Sequence, residues 1–323
     1  MIVRWGLEAL PGVLEELSVR DPLLISTERW RDLDLHVARR FYGALPHAEI
    51  NGVRAAAEAS AAADGLVALG GGSAIDTVKA VSSDAGLPIV SIPTTYSGAE
   101  WTQGFGMRDR DAGVKRGGGG AQTVAIVYDP TLTVGLPQGE SAGSAMNALA
   151  HCAEALYTRG RSDDSDREAL AGAKLISDRL PAVVQDGSDL EMRRGLLEGA
   201  MHAGAAPTAG MGLGHAIAQA LGGRYGLAHG TMNAVSLPPA LRYNQDVSAA
   251  EIARLGEAND HGDAIVRVTE LGALAGPSRL GEYGVPREDL ESLAEAIAER
   301  APAKANPRPA PPEAIRELLG EIW

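Results

Sequence analysis

A chain of 323 residues with 45% hydrophobic content is long enough to bury two cores rather than one. A formal net charge of −13 with no local basic patch speaks against nucleic acid as a partner, and no run of about eighteen apolar residues exists to span a membrane. The single cysteine, Cys152, rules out an intrachain disulfide and fits a reducing cytoplasm, and Met1 to Gly6 lack the apolar centre of a secretion signal.

In chain order, residues 22–27 read as a buried strand. Residues 29–41 read as a helix, with Trp30, Leu33, Val37 and Phe41 on one face. Residues 51–63 form an Ala-rich helix with Asn51 as cap. A second strand at 65–69 runs straight into Gly70-Gly71-Gly72-Ser73, followed by a helix at 74–82. Residues 87–92 and 123–128 are the third and fourth strands, and Gly117 to Gly120 read as a flexible loop. Strand–helix alternation of this kind implies an α/β domain with a parallel sheet. Past Leu136-Pro137 the pattern turns helical, over 140–158, 165–184, 190–205, 214–221, 249–258 and 287–300. The boundary is set at about residue 137, giving an α/β dinucleotide-binding domain at 1–137 and an all-helical domain at 138–323. A Pro-rich stretch, 301–312, leads into a short amphipathic helix at 313–323.

Two loops carry chemistry in the first domain. Glycines at 70–72 let a ligand approach the backbone, and the amides that open the next helix attract anions such as a pyrophosphate. Ser73 adds a hydroxyl, and Asp76 sits one turn further in. The turn is not the G-x-G-x-x-G fingerprint, and alone it serves equally well as a plain tight turn. The second loop, Pro93-Thr94-Thr95-Tyr96-Ser97-Gly98, follows the next strand. Hydroxyl-rich loops ending neighbouring parallel strands favour a nucleotide crevice over two unrelated turns.

In the second domain Asn147 and His151 share a helix face at i and i+4, and a Gly-flanked stretch brings His215 and His229. Together they suggest a four-point cluster of the kind that holds a divalent metal, with an amide where a carboxylate is expected. His36, His47, His202 and His261 read as structural or surface histidines, and Cys152 as a small buried residue. Arg159 and Arg161 read as a solvated pair.

The motif Gly70-Gly71-Gly72-Ser73-Ala74-Ile75-Asp76-Thr77-Val78-Lys79 resembles the nucleotide motif of the iron-containing alcohol dehydrogenase family. The blocks at Pro93 to Glu100, Gly113 to Lys115, Tyr128 to Thr133, Met146 to His151 and His215 to Gly230 are similar to later blocks of that family. Thr94-Thr95-Tyr96-Ser97-Gly98 and Asn147 most resemble its maleylacetate reductase branch, and the family resemblance covers nearly the whole chain, including Asn306-Pro307-Arg308-Pro309. The resemblance implies the dehydroquinate synthase-like, two-domain fold with NAD(P) in the cleft, and a homodimer. It assigns Gly70, Gly71, Gly72 and Ser73 to the pyrophosphate. Asp76, Thr94, Thr95 and Ser97 fall to the nicotinamide side, and Lys115 and Leu136 to further cofactor contacts. Where a metal (Fe or Zn) is bound, its ligand positions are Asn147, His151, His215 and His229.

Three departures qualify the resemblance. Asn147 replaces an aspartate, which weakens metal affinity. Gln219 replaces a proton-relay histidine and cannot shuttle a proton. The helical domain is short after Asn244, which opens the substrate pocket or leaves a partner subunit to complete it. The resulting expectation is an NAD(P)H-dependent reductase of a small carbonyl or oxo acid, with His151, His215 and His229 as candidate catalytic groups. Arg224 and Arg242 are the available cations for a substrate carboxylate. Alternatives are an iron- or zinc-dependent alcohol or aldehyde dehydrogenase, and a lyase, isomerase or cyclase that retains the dinucleotide. A non-catalytic binding protein is a third. Glu28, after the first strand, favours NAD through the ribose 2′-hydroxyl, whereas Arg29 beside it would suit NADP.

Overall fold

The computed structural model describes residues 1–110, 114–206 and 210–323, and of Val114 and Lys115 the backbone alone. Contacts divide the chain into two units, Met1–Thr133 and Val134–Trp323.

In the first unit, in chain order, the elements are β1 (Ile2–Trp5), α1 (Leu10–Glu16), β2 (Pro22–Ile25), β3 (Arg39–Phe41), α2 (Ile50–Ala59), β4 (Gly65–Gly70), α3 (Gly72–Ala85), β5 (Pro88–Pro93), β6 (Phe105–Asp109), β7 (Val114–Gly118) and β8 (Gln122–Tyr128). Six strands form one parallel sheet in the order β1-β8-β5-β4-β2-β3, and β6 and β7 pair as an antiparallel hairpin. The inner strands β2, β4 and β5 are buried on both faces and read as largely apolar runs, whereas the edge strand β3 is mostly exposed. In β4, Val67 and Leu69 enter one core while Leu66 and Ala68 enter the other, as a period of two requires.

Residues 29–41 are not a helix. A short 3₁₀ turn, Glu28–Trp30, is followed by irregular chain and then by β3, which pairs in parallel with β2. The apolar spacing that suggests a helix instead delivers Leu35 and Val37 into the core beneath the sheet. The Arg40 guanidinium takes the carbonyls of Leu33, Leu35 and Val37, which a helix would have paired internally. Gly117 and Gly118 belong to β7 and not to a loop. A Cβ at Gly118 would stand 2.3 Å from the Phe105 ring of the facing strand, which lies over the bare backbone there.

The second unit is helical: α4 (Gln138–Ala155), α5 (Asp163–Gln185), α6 (Leu190–Ala205), α7 (Leu213–Tyr225), α8 (His229–Asn244), α9 (Ala249–Ala258), α10 (Ala264–Ala273), α11 (Leu290–Ala298), α12 (Ala301–Lys304) and α13 (Pro312–Glu321). Ser162 caps α5 through a reciprocal bond with Ser165, and Asp189 caps α6. Helix α8 carries Pro238 and Pro239 in its interior, where each removes a backbone donor at a cost of about 3 kcal/mol. It survives because residues from Met232 to Leu241 are buried as it packs on α4 and α7. No described helix is long and apolar enough to cross a membrane.

Candidate active site

In the first unit a candidate binding turn is built where β4 and β5 end side by side. Gly70 pairs in register with Pro93, and the Thr94 N–H donates to the Gly70 carbonyl at 3.1 Å. Gly70 has φ +147°, which a side chain rarely adopts. Gly71 has ordinary angles but no room: a Cβ there would lie 2.7 Å from Thr95 Cγ2. The turn is therefore shaped by both conformation and space. It opens the fourteen-residue α3, whose N-cap contributes no side-chain bond. Amides in the first turn have no helical acceptor, and the helix dipole makes them attractive to an anion.

The Ser73 hydroxyl accepts from the His47 N–H at 2.9 Å and keeps its own proton to donate. Thr95 Oγ1 lies 3.4 Å from Ser97 Oγ, and Ser97 receives the Ala99 N–H at 3.5 Å. The structure thus brings Gly70, Gly71, Gly72, Ser73, Thr94, Thr95 and Ser97 together, and they fit a dinucleotide phosphate. Asp76 is already engaged: its Oδ2 accepts from the Gly106 N–H at 3.1 Å and its Oδ1 is 3.8 Å from Lys79 Nζ. The Lys115 side chain lies outside the described residues. Leu136 is buried in the second unit, where its carbonyl accepts from Ser141 Oγ at 3.4 Å. Beneath the turn Lys79 is enclosed, donating to Thr102 Oγ1 at 2.8 Å and the Gly104 carbonyl at 2.9 Å. Burial holds its ammonium below the usual lysine range, against the pull of Asp76 and Glu100.

The helical unit carries a separate candidate cluster of its own. Asn147, His151 and Glu154 follow one stripe of α4 at i, i+4 and i+7. His215 stands in the first turn of α7 and His229 opens α8. The His151 and His215 rings lie 4.2 Å apart, and those of His215 and His229 5.9 Å apart. His215 is fully buried at the back of this cluster, while His151 and His229 are half-buried at its sides.

Three residues to which the sequence alone assigns no site role complete the surroundings. The Glu154 carboxylate lies 2.6 Å from His215 Nδ1 and accepts from the amides of Gly212 and Gly214 at 2.6 and 2.8 Å. Asn233 donates from Nδ2 to Asn147 Oδ1 at 2.7 Å and stands 3.3 Å from His229 Nε2. The Asn306 amide oxygen receives the Leu213 N–H at the head of α7. Glu154 and Asn233 were legible in principle, as i+3 from His151 and i+4 from His229.

Gln219 turns to the Met211 sulfur at 3.7 Å. Arg224 and Arg242 do not join the cluster. They end α7 and α8, about 14 and 20 Å along the helices from His215 and His229, and pair with Asp289 and Glu321. His202 pairs with Glu168 at 2.6 Å and stays apart. Arg161 is tied to Asp166 and Glu251.

The imidazoles, although grouped, do not fit a divalent ion as placed. Among the described residues no three His, Cys, Asp or Glu side chains are arranged to hold one. The corner that needs negative charge is the neutral Asn147, whose oxygen already receives the Asn233 amide. The nearby carboxylate, Glu154, is turned to His215 and to the head of α7.

Comparison with known proteins sets this geometry in context. Residues 11–130 match the profile of iron-containing alcohol dehydrogenases, and residues 141–323 that of the Fe-containing alcohol dehydrogenase family C-terminal domain. Maleylacetate reductase 1 of Cupriavidus pinatubonensis is 34% identical, over 96% of this chain and 91% of the relative. Maleylacetate reductase of Burkholderia cepacia is 39% identical over 81% of this chain and 74% of its own length. The crystal structure of maleylacetate reductase from Rhizobium sp. strain MTP-10005 superposes with a TM-score of 0.89 at 33% identity, covering 100% of this chain and 95% of that one.

Proposed function

The chain belongs to the iron-containing alcohol dehydrogenase family and is an NAD(P)H-dependent oxidoreductase of a small oxo acid; within that activity we propose that it reduces maleylacetate or a close unsaturated oxo acid without a metal ion. The observation that carries this reading is the cluster of His151, His215 and His229 backed by Glu154, with a neutral Asn147–Asn233 pair at the corner a metal would need.

When bound, the dinucleotide supplies the hydride. Gly70, Gly71, Gly72 and Ser73 would hold its diphosphate, and Thr94, Thr95 and Ser97 would line its nicotinamide side. Reduction of a carbonyl, or of a double bond conjugated to one, builds negative charge on the carbonyl oxygen. In the proposed mechanism the imidazoles stabilise that charge and orient the oxygen. Each hydride added is matched by one proton drawn from water: His215 takes it up at Nε2, a buried atom with no hydrogen-bond partner among the described residues, and passes it to the substrate. His151 and His229, half-buried, are the two imidazoles a substrate meets first. A homodimer and a cytoplasmic location accompany the proposal as family expectations, to be read by light scattering and fractionation.

The test is NAD(P)H oxidation across unsaturated oxo acids, simple oxo acids and aldehydes, with and without a strong chelator. Expected is turnover of the unsaturated oxo acid at a rate unchanged by chelation. Activity confined to simple aldehydes, or abolished by the chelator and restored by a metal, would overturn it.

A further inference from the structure

Glu154 has no role in the reading so far beyond its position, yet its surroundings are built for one. It is fully buried on α4, and its side chain crosses to the head of α7. One carboxylate oxygen, Oε1, accepts from the amides of Gly214 and His215 at 2.8 and 3.3 Å. The other, Oε2, accepts from the Gly212 amide at 2.6 Å and lies 2.6 Å from His215 Nδ1. The room for it comes from two glycines: a Cβ at Gly212 or Gly214 would stand 3.1 or 2.9 Å from the carboxylate.

Every backbone partner of this carboxylate is a donor, so it serves only as an acceptor toward them. At 2.6 Å an unprotonated Nδ1 would set two lone pairs against each other. The ring proton must therefore sit on Nδ1, which leaves Nε2 as the atom that faces the cluster. The ring cannot turn over to present Nδ1 instead without abandoning that contact inside a dry site, where a lost charged partner is costly.

We infer that Glu154 is a positioning residue for the reaction: it fixes the tautomer and orientation of His215, so that Nε2 is always the atom presented to the substrate oxygen. This rests on the reductase reading for its kinetic consequence, but the tautomer is observable without any substrate.

The decisive variant is Glu154→Gln. Glutamine keeps the volume and one acceptor oxygen for the α7 amides. Its NH₂ group, brought against Nδ1, donates there and drives the ring proton to Nε2. Nitrogen-15 spectra of protein labelled at histidine, with His215 assigned by comparison with His215→Asn, report the tautomer. Expected is an Nδ1-protonated ring in the native protein and an Nε2-protonated ring in E154Q. In steady-state assays kcat falls about 10²- to 10⁴-fold, as for a catalytic histidine held in the wrong tautomer. KM for the oxo acid and NAD(P)H affinity change little, while the melting temperature falls, because the Gly212 N–H then meets the glutamine NH₂ where it had Oε2.

A native ring with a bare Nδ1 overturns the inference outright, and this measurement stands even if E154Q does not fold. A folded E154Q with an unchanged tautomer, or an inverted tautomer with unchanged kcat, overturns it as well. Failure of the native enzyme to reduce any oxo acid while His215 remains Nδ1-protonated sinks the reductase reading and leaves the tautomer assignment in place.

Discussion

Replacing Gly71 with alanine tests the dinucleotide site at the atom where space decides. The backbone there, φ −82° and ψ −170°, suits any residue, so no conformational penalty applies. The new methyl would lie 2.7 Å from Thr95 Cγ2, against a comfortable carbon–carbon separation of about 3.5–4.0 Å. Thr95 is short and β-branched and has to move by about 1 Å, which for an overpacked site costs about 1–3 kcal/mol. The same shift disturbs the loop that carries Thr94 and Ser97 and puts a methyl on the face a diphosphate would occupy.

We expect Gly71→Ala to weaken NAD(P)H binding by about 10- to 100-fold, or about 1.4–2.8 kcal/mol. Gly86→Ala at the other end of α3 is the control. Gly86 has φ +69° and open space around its Cα, so alanine costs about 1–2 kcal/mol in backbone strain and meets no neighbour. The two positions are about 20 Å apart along the helix. Titration of NAD(P)H fluorescence, beside thermal melts of both variants, gives the answer. Equal loss of affinity in the two variants, or none in Gly71→Ala, refutes the placement of the diphosphate at this turn.

Glu100 is fully enclosed and accepts from the Tyr128 hydroxyl at 2.7 Å; burial raises its carboxyl, against the opposing pull of its own amide, Tyr128 and Lys79. A carboxyl raised in the folded state stabilises the fold below its unfolded value of 4.5 and loses that contribution as pH climbs through the folded value. Each tenfold difference in proton affinity between the states is worth about 1.4 kcal/mol. Glu100→Gln should therefore melt above the native protein at pH 7, with the gap closing toward pH 4.5; a gap independent of pH would show the charge carries no such cost. Cys152 is buried and its thiol is pushed well up by that burial, so disulfide reagents should label nothing in the native protein and one site in denaturant. Gly230→Ala would set a Cβ 2.3 Å from the Gly143 carbonyl of α4 and should cost about 3 kcal/mol in urea unfolding. It would move His229 with α8 and lower activity too.

Legibility followed how local the determining physics is. β4, β5 and β8 were readable because their apolar runs end at glycines, prolines or polar turns. Helices α5 and α6 carry their own start signals at Ser162 and Asp189. Residues 29–41 misled because the apolar spacing suits a helix, while the Arg40 side chain supplies the carbonyl partners from a distance. Helix α8 was hidden by Pro238 and Pro239, whose local cost is offset only by burial against two other helices. Strand β1 is four residues long and is recognisable by its pairing with β8.

The site divides along the same line. The glycine turn and the three histidines could be named because glycine and imidazole have few common uses in such contexts. Glu154 was passed over, because its i+3 spacing from His151 gains meaning only from what α7 brings to it. On α4 alone it is one acidic residue on an Ala-rich helix, and a solvated face is the ordinary reading. Two features together change that reading: the i, i+4, i+7 stripe with Asn147 and His151, and the Gly212-x-Gly214-His215 approach that leaves room for a carboxylate. A buried acid is tolerated where donors surround it, and glycines near a histidine are where such donors come within reach. The pairing of a stray acid on one helix with a Gly-x-Gly-His opening on another is thus a physical signature. It argues that the histidine, and not the acid, is the group whose geometry the chain protects.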